Sequence, residues 1–161
     1  MEHARAAEAT ELELLAALWS EAVAELDGQR GGFLLAGSLT REDLAAELRA
    51  AHQNPEKLLV VGLLDEVPVG FATAFCNRKR REPIGSIELI YVQPPARQVG
   101  VAEAMVTVVL RWAAALGCVG VDAPALPGSR PAKAFFEDNG FTARLLVMHH
   151  PLEGVEERSD G

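Results

Sequence analysis

Six residues, Arg97-Gln98-Val99-Gly100-Val101-Ala102, lead from an aliphatic strand into an apolar helix, and they are small where an anion would need room. Pro94 and Pro95 end the strand, since a proline has no N–H to give a central ladder. The helix that follows begins with backbone N–H groups that have no acceptor inside it, and its dipole adds partial positive charge there. Such an end attracts phosphate. Gly100 and Ala102 carry little or no side chain to hold a pyrophosphate away, so the chemistry on offer is anion binding by backbone. Just upstream, Glu88 interrupts the otherwise apolar run from Ile87 to Val92. A carboxylate in that setting is rarely buried alone. It serves either as a base or as the structural partner of a backbone amide or an arginine.

About thirty residues downstream lies Ala132-Lys133-Ala134-Phe135-Phe136-Glu137-Asp138-Asn139-Gly140-Phe141, which reads as a short helix closed by Asn-Gly. The aliphatic strand ending in Val92, the proline two residues on, the R-x-x-G-x-A loop and this segment together resemble the GNAT superfamily of acyl-CoA N-acyltransferases. Order and spacing match from about Ile84 to Pro151, and the first half matches more loosely. The resemblance implies a single-domain α/β fold over residues 1–152, with a mixed central sheet flanked by about four helices. It also implies strands splayed apart at the CoA site, and leaves residues 153–161 as a flexible tail.

By the same resemblance, acetyl-CoA is the cosubstrate. The backbone of Ile90, Tyr91 and Val92 would pair with pantetheine like an added strand. Arg97, Gln98, Val99, Gly100, Val101 and Ala102 would surround the pyrophosphate, and Ser129 stands where the family often has asparagine. Glu88 falls at the family's general-base position, acting through water. An amine of pKa near 10 is only about one part in a thousand neutral at pH 7, equivalent to roughly 4 kcal/mol, so a base has work to do. The family's second catalytic group is a tyrosine that protonates the departing thiolate, and here that place holds Phe136. The function implied is transfer of an acetyl group to a primary amine of a small molecule, peptide or protein by direct attack. The alternative, motivated by Phe136, is a catalytically silent acyl-CoA-binding or regulatory module. An amine-bearing acceptor is the expected partner, and a homodimer is compatible with the pattern.

Other constellations are thin. His149 and His150 are adjacent on an expected strand and so point to opposite faces, which argues against a metal. Ser38, Ser86 and Ser129 lack the context of a hydrolase nucleophile. The phosphate loop lacks the second glycine of a dinucleotide fingerprint and the Lys-Ser/Thr of a P-loop. The basic run Arg78-Lys79-Arg80-Arg81 reads as a solvated loop between strands, or as a contact for the CoA tail or a partner.

The elements that must position these residues follow from periodicity. Thr10 to Asp27 has helical spacing, with Thr10 and Glu13 in capping-box register. A short strand precedes it around His3 to Ala6, and a second helix runs from Thr40 and Asp43 to Asn54-Pro55. Leu58–Leu64 and Val67–Phe75 flank Asp65-Glu66 as a hairpin, and Ile84–Val92 follows as a strand. A helix from about Val99 to Leu116, a strand Cys118–Ala123, a helix Arg130–Asn139 and a last strand Phe141–His150 complete the order. Gln29 to Leu35 has no assignable conformation, and Gly28 to Leu39 together with the loop after Phe75 is the expected acceptor wall.

Composition sets the outer bounds. The 161 residues suffice for one core. A net charge of −8 argues against a nucleic-acid partner and suits cationic substrates. No apolar run approaches the ~18 residues of a membrane span, and no signal-peptide pattern opens the chain. We therefore expect a cytoplasmic protein with no membrane partner, in which Cys76 and Cys118 are free thiols packed in the core.

Overall fold

Residues 1–32, 41–150 and 152–153 are described by a computed structural model. Five strands form one sheet in the order β1 to β5: β1 (Glu2–Ala6), β2 (Lys57–Leu64), β3 (Val67–Cys76), β4 (Ile84–Val92) and β5 (Gly120–Asp122). The first four are antiparallel neighbours, and β4 pairs with β5 in parallel. The helices are α1 (Leu12–Asp27), α2 (Arg41–Gln53), α3 (Val101–Ala115) and α4 (Arg130–Asp138). The mixed sheet and its helices are those the sequence suggests. The hairpin falls at Asp65 and Glu66, both with positive φ, which suits the right-handed twist of the strands they join.

Both faces of the sheet are covered, which is why β2 and β3 are apolar almost without interruption rather than alternating with polar residues. On one face α3 lays Val101, Met105, Val106 and Val109 against Val60, Ala72, Ile87 and Val92. On the other, Leu15 and Leu18 of α1 and Leu44 and Leu48 of α2 meet Leu59, Phe71, Leu89 and Tyr91. Trp19 stacks on Phe71 with ring centres 5.5 Å apart. The valines of α3 favour a helix only weakly, so its seat on the sheet holds it. That seat is close: a Cβ on Gly62 would stand 2.7 Å from Val101 Cγ1 and 2.8 Å from Met105 Sδ.

Three expectations are corrected. The capping pair is not Thr10 and Glu13. A 3-10 turn, Ala9–Glu11, leads into α1 one turn early, and the Glu11 carboxylate accepts the Glu8 N–H at 2.8 Å while Arg5 grips its two oxygens at 2.8 and 2.9 Å. Cys76 and Cys118 are joined as a disulfide rather than free, because the sheet brings the end of β3 beside the turn that enters β5. Among the described residues Phe141–His150 forms no strand, and Leu145 to Met148 are exposed. Thr40 as a helix cap lies outside the described residues, as do residues 33–39 and nearly all of the tail.

The Arg5 guanidinium, by its hydrogen bond, holds the Glu11 carboxyl below the usual carboxylate range. A lowered folded pKa contributes stability that is fully present above the unfolded value, near 4.3, and is lost as pH falls through the folded one. Glu11→Gln should therefore lower the urea midpoint at pH 7, and the gap to wild type should narrow progressively below about pH 4. A gap of constant size at every pH would show that the charge plays no part.

Candidate active site

β4 loses its second neighbour partway along. It pairs with β3 over its length, but with β5 only at Ile84, Gly85 and Ser86. From Ile87 to Val92 its outer edge therefore has no strand beside it among the described residues. A Cβ on Gly70 would lie 2.6 Å from the Tyr91 carbonyl oxygen, so Tyr91 turns its backbone toward β3. Ile90 and Val92 alternate with it and turn theirs to the open edge. The splay between β4 and β5 is where the GNAT resemblance implies it.

The open edge runs into the loop. After a 3-10 turn, Pro94–Ala96, Gln98 and Gly100 both take left-handed backbone conformations, with φ of 64° and 92°. Residues of that kind build anion-binding concavities from successive N–H groups. The Ala104 N–H donates to the Gly100 carbonyl at 3.0 Å and closes the first turn of α3. The N–H groups of Val101, Ala102 and Glu103 come before that bond. No described residue accepts from the N–H of Gln98, Val99 or Gly100. Glu2 of β1 flanks the turn, its Cγ 3.1 Å from where a Gly100 Cβ would stand. The fit to a pyrophosphate thus rests on backbone donors at the positions read from the sequence.

Glu88 sits at a register shift. Thr73 pairs with Leu89 and Ala74 with Ile87, which leaves Glu88 as the extra residue of a β-bulge. Bulges re-aim side chains, and this one gives Glu88 to the face covered by α1 and α2. There it lines a cavity of about 30 Å³ with Trp19, Leu44, Leu48, Leu59 and Thr73. Half-buried, its carboxylate makes no hydrogen bond or ion pair with a described residue, so the structural-partner reading finds no partner. Thr73 Oγ1 is fully buried and also without a partner. Sequence reasoning passed over Thr73, although it is the single hydroxyl in the apolar run of β3.

The end of β4 is pinned to α1. The Tyr91 hydroxyl donates to Glu21 Oε2 at 3.2 Å, and Gln93 Nε2 donates to both oxygens of the same carboxylate at 3.1 and 3.2 Å. Arg97 Nε donates to the Val92 carbonyl at 2.8 Å, its Nη2 to Glu25 at 2.6 Å, and its guanidinium lies 5.6 Å over the Tyr91 ring. Burial raises the Tyr91 pKa, and the Glu21 carboxylate raises it further, so the phenol stays protonated at neutral pH. The only tyrosine is thus committed to α1.

Ser129 stands at the N-cap position of α4 without a side-chain capping bond, and its N–H donates to the Leu126 carbonyl at 2.9 Å. Phe136 is buried between Phe135 and Phe141, each ring centre 5.2 Å away and edge-on. Arg78–Arg81 lies exposed before the start of β4. The nine residues of that strand, about 30 Å, separate the run from the loop after Val92. Among the described residues no group of three or more His, Cys, Asp or Glu side chains is placed to hold a metal, and no helix is long and apolar enough to cross a membrane.

Several solved structures share this fold. An aminoglycoside N-acetyltransferase, AAC(6')-Iy, in complex with CoA superposes with a TM-score of 0.77 at 21% identity, over 95% of both chains. AAC(6')-IG from Acinetobacter haemolyticus gives 0.72 at 18% identity, over 94% of this chain and 98% of that one. A protein named as a transcriptional regulator from Bacillus halodurans C-125 gives 0.72 at 19%, over 93% and 100%. No curated protein sequence matches the chain. The acetyltransferase (GNAT) family profile matches residues 15–141, which takes in most of α1, the bulged strand, the loop before α3 and α4. With most of its length matched and the open strand edge running into a helix N-terminus, the chain belongs to the GNAT family of acetyltransferases.

Proposed function

We propose that the protein transfers an acetyl group from acetyl-CoA to a primary amine by direct attack, with Glu88 as the base. The observation that carries this reading is the edge of β4 from Ile87 to Val92, with no described strand beside it, leading through one 3-10 turn to the N–H groups of Gln98 to Ala102. An extended pantetheine would complete the ladder at Ile90 and at the Val92 N–H, the Val92 carbonyl being held by Arg97, and its pyrophosphate would take the amides of the loop. Arg97 contributes by fixing the loop to Val92 and Glu25. Bound in this cleft, acetyl-CoA supplies the thioester that the amine attacks.

Glu88 removes the proton of the incoming ammonium. The cavity it shares with Thr73 has room for about one water, and such a water would satisfy the Thr73 hydroxyl while relaying the proton to the carboxylate. The acceptor enters from the α1 and α2 side. Neighbours of the same fold are named for aminoglycosides, and a net charge of −8 favours polycationic amines. Aminoglycosides and polyamines are therefore the first acceptors to try, ahead of amino acids and peptides.

Thiol release from acetyl-CoA with that panel tests the reading. Turnover with any of these amines supports it. Saturable CoA binding with no turnover across the panel would instead favour the silent binding module, for which the buried Phe136 in the usual tyrosine position is the motive.

Gly100→Glu should abolish CoA binding in calorimetry, because a carboxylate would enter the pyrophosphate space beside Glu2. The fold would not be indifferent: at φ of 92° any side chain is strained by roughly 1–2 kcal/mol. Gly100→Ala carries the same strain without the charge and should keep measurable affinity. Equal loss in both variants would put the effect on the backbone alone.

Glu88→Gln should lower turnover most at low pH and least at high pH, where more of the amine is already neutral. A loss of the same size at every pH would point to a binding role.

Phe136→Tyr places a hydroxyl where the family carries its thiolate acid. General acids commonly give 10²- to 10⁴-fold, but a thiol of pKa near 8.5 needs less help, so a gain of roughly tenfold or less is expected. Both neighbouring rings are in contact, and an unsatisfied hydroxyl there costs about 1–3 kcal/mol. Rates must be compared on folded, CoA-saturated protein. Equal rates would mean that thiolate departure does not limit turnover.

A further inference from the structure

The acidic residues at the end of α1 break two local rules. Glu21 and Glu25 stand one turn apart on that helix, where like charges repel. Glu25 and Asp27 also occupy its last turn, at the negative end of the helix dipole, with no basic residue there to offset them. Neither carboxylate belongs to the buried face of α1, which is Leu15, Leu18 and Ala22. A departure from local preference that gains nothing in the core points to a role elsewhere.

What the two carboxylates hold shows that role. Glu21 accepts from the Tyr91 hydroxyl at 3.2 Å and from Gln93 Nε2 at 3.1 and 3.2 Å. Glu25 accepts from Arg97 Nη2 at 2.6 Å. These three donors are spread along the stretch that joins the edge of β4 to the anion loop.

The loop needs such a hold. Gln98, the residue after Arg97, is not a glycine, yet its φ is 64°, a conformation that persists only where the surroundings enforce it. If Gln98 relaxed, the N–H groups from Gln98 to Ala102 would no longer line one concavity. Arg97 is bonded on one side to the Val92 carbonyl and on the other to Glu25, and so fixes the backbone immediately before that residue.

We infer, on the reading of this edge and loop as the CoA site, that Glu21 and Glu25 are positioning residues for the acyl donor. From α1 they hold the end of β4 and the anion loop in the arrangement that takes CoA. The sign of the effect is diagnostic. Two carboxylates near an anion site repel its ligand, so their removal would tighten binding if charge alone counted. Positioning requires the opposite. Exposed ion pairs contribute little to stability, so the fold should survive their loss.

Calorimetry with CoA and hydrogen exchange on the full chain test this together. Glu21→Ala and Glu25→Ala should each weaken CoA binding about tenfold, since the ligand must then order a segment that wild type holds ready. Glu21→Gln keeps an oxygen for Tyr91 and should recover most of that loss. In the free alanine variants the amides of Gln93 and Ala96, which donate to the Val69 and Gln93 carbonyls at 2.8 and 2.9 Å, should exchange faster, while those of α3 keep wild-type rates. Unchanged affinity in both alanine variants would overturn the inference. Tighter binding by Glu25→Ala would overturn it too, by showing that the carboxylate competes with phosphate for Arg97. Weaker binding accompanied by faster exchange throughout α3 would reduce both residues to a structural role. A wild type that does not bind CoA would instead sink the acyl-donor reading itself, and this inference with it.

Discussion

β4 is paired along its length with β3 but with β5 only at Ile84 to Ser86, so beyond that point a central strand presents an edge with no strand beside it among the described residues, and of that edge the Val92 carbonyl is held by Arg97. A buried peptide group left unpaired costs about 1–3 kcal/mol, and a fold that keeps such an edge must hold the strand by other means. It does so from both faces. Ile87 and Val92 are gripped by the α3 side and Leu89 and Tyr91 by the α1 side. The carboxylates of Glu21 and Glu25 then take hold of Tyr91, Gln93 and Arg97 where the strand ends. The strand is rigid because its side chains are anchored, and its outer backbone is thereby free to bind.

The same economy governs charge. Around the anion loop the donors are peptide N–H groups and a helix end, while the flanking side chains include Glu2 and an Arg97 already turned to Glu25. The exposed basic run stands before the far end of β4. On the proposed reading, an acidic protein would hold an anion without a cationic surface, and the rest of its negative charge would remain available to draw a cationic acceptor toward Glu88. Donor and acceptor substrates would then be handled by different parts of the electrostatics: local dipoles for one, net charge for the other.

Much of this was legible because it is local. The bounds of β4, the Asp65-Glu66 turn and the glycine at the start of α3 are each specified by neighbouring residues: apolar runs, two turn formers, and a position that needs left-handed backbone. What escaped the reading depends on residues far apart. The bulge at Glu88 is a mismatch between the registers of β3 and β4, and neither strand alone encodes it. The bond between Cys76 and Cys118 spans 42 positions that only the sheet brings together. Phe141 to His150 has the composition of a strand but forms none among the described residues, because composition does not supply the edge a strand must pair with. The cap at Glu11 was missed because Arg5, which holds it, belongs to a different element.

The missing side chain at Gly62 reaches further than its own strand. Because α3 rests where a methyl group would stand, within 2.7 Å of Val101 and 2.8 Å of Met105, the height of the helix above the sheet is set from β2. Val101 is also the first residue of that helix, directly after the left-handed Gly100. A change at the foot of the helix would tilt or lift the turn that carries the free amides, with no group near the cofactor altered. Drift in this lineage therefore has a remote adjusting screw. Affinity for the acyl donor can wander through substitutions on a strand that never meets it, so an alignment of the binding loop alone would leave such variation unaccounted for.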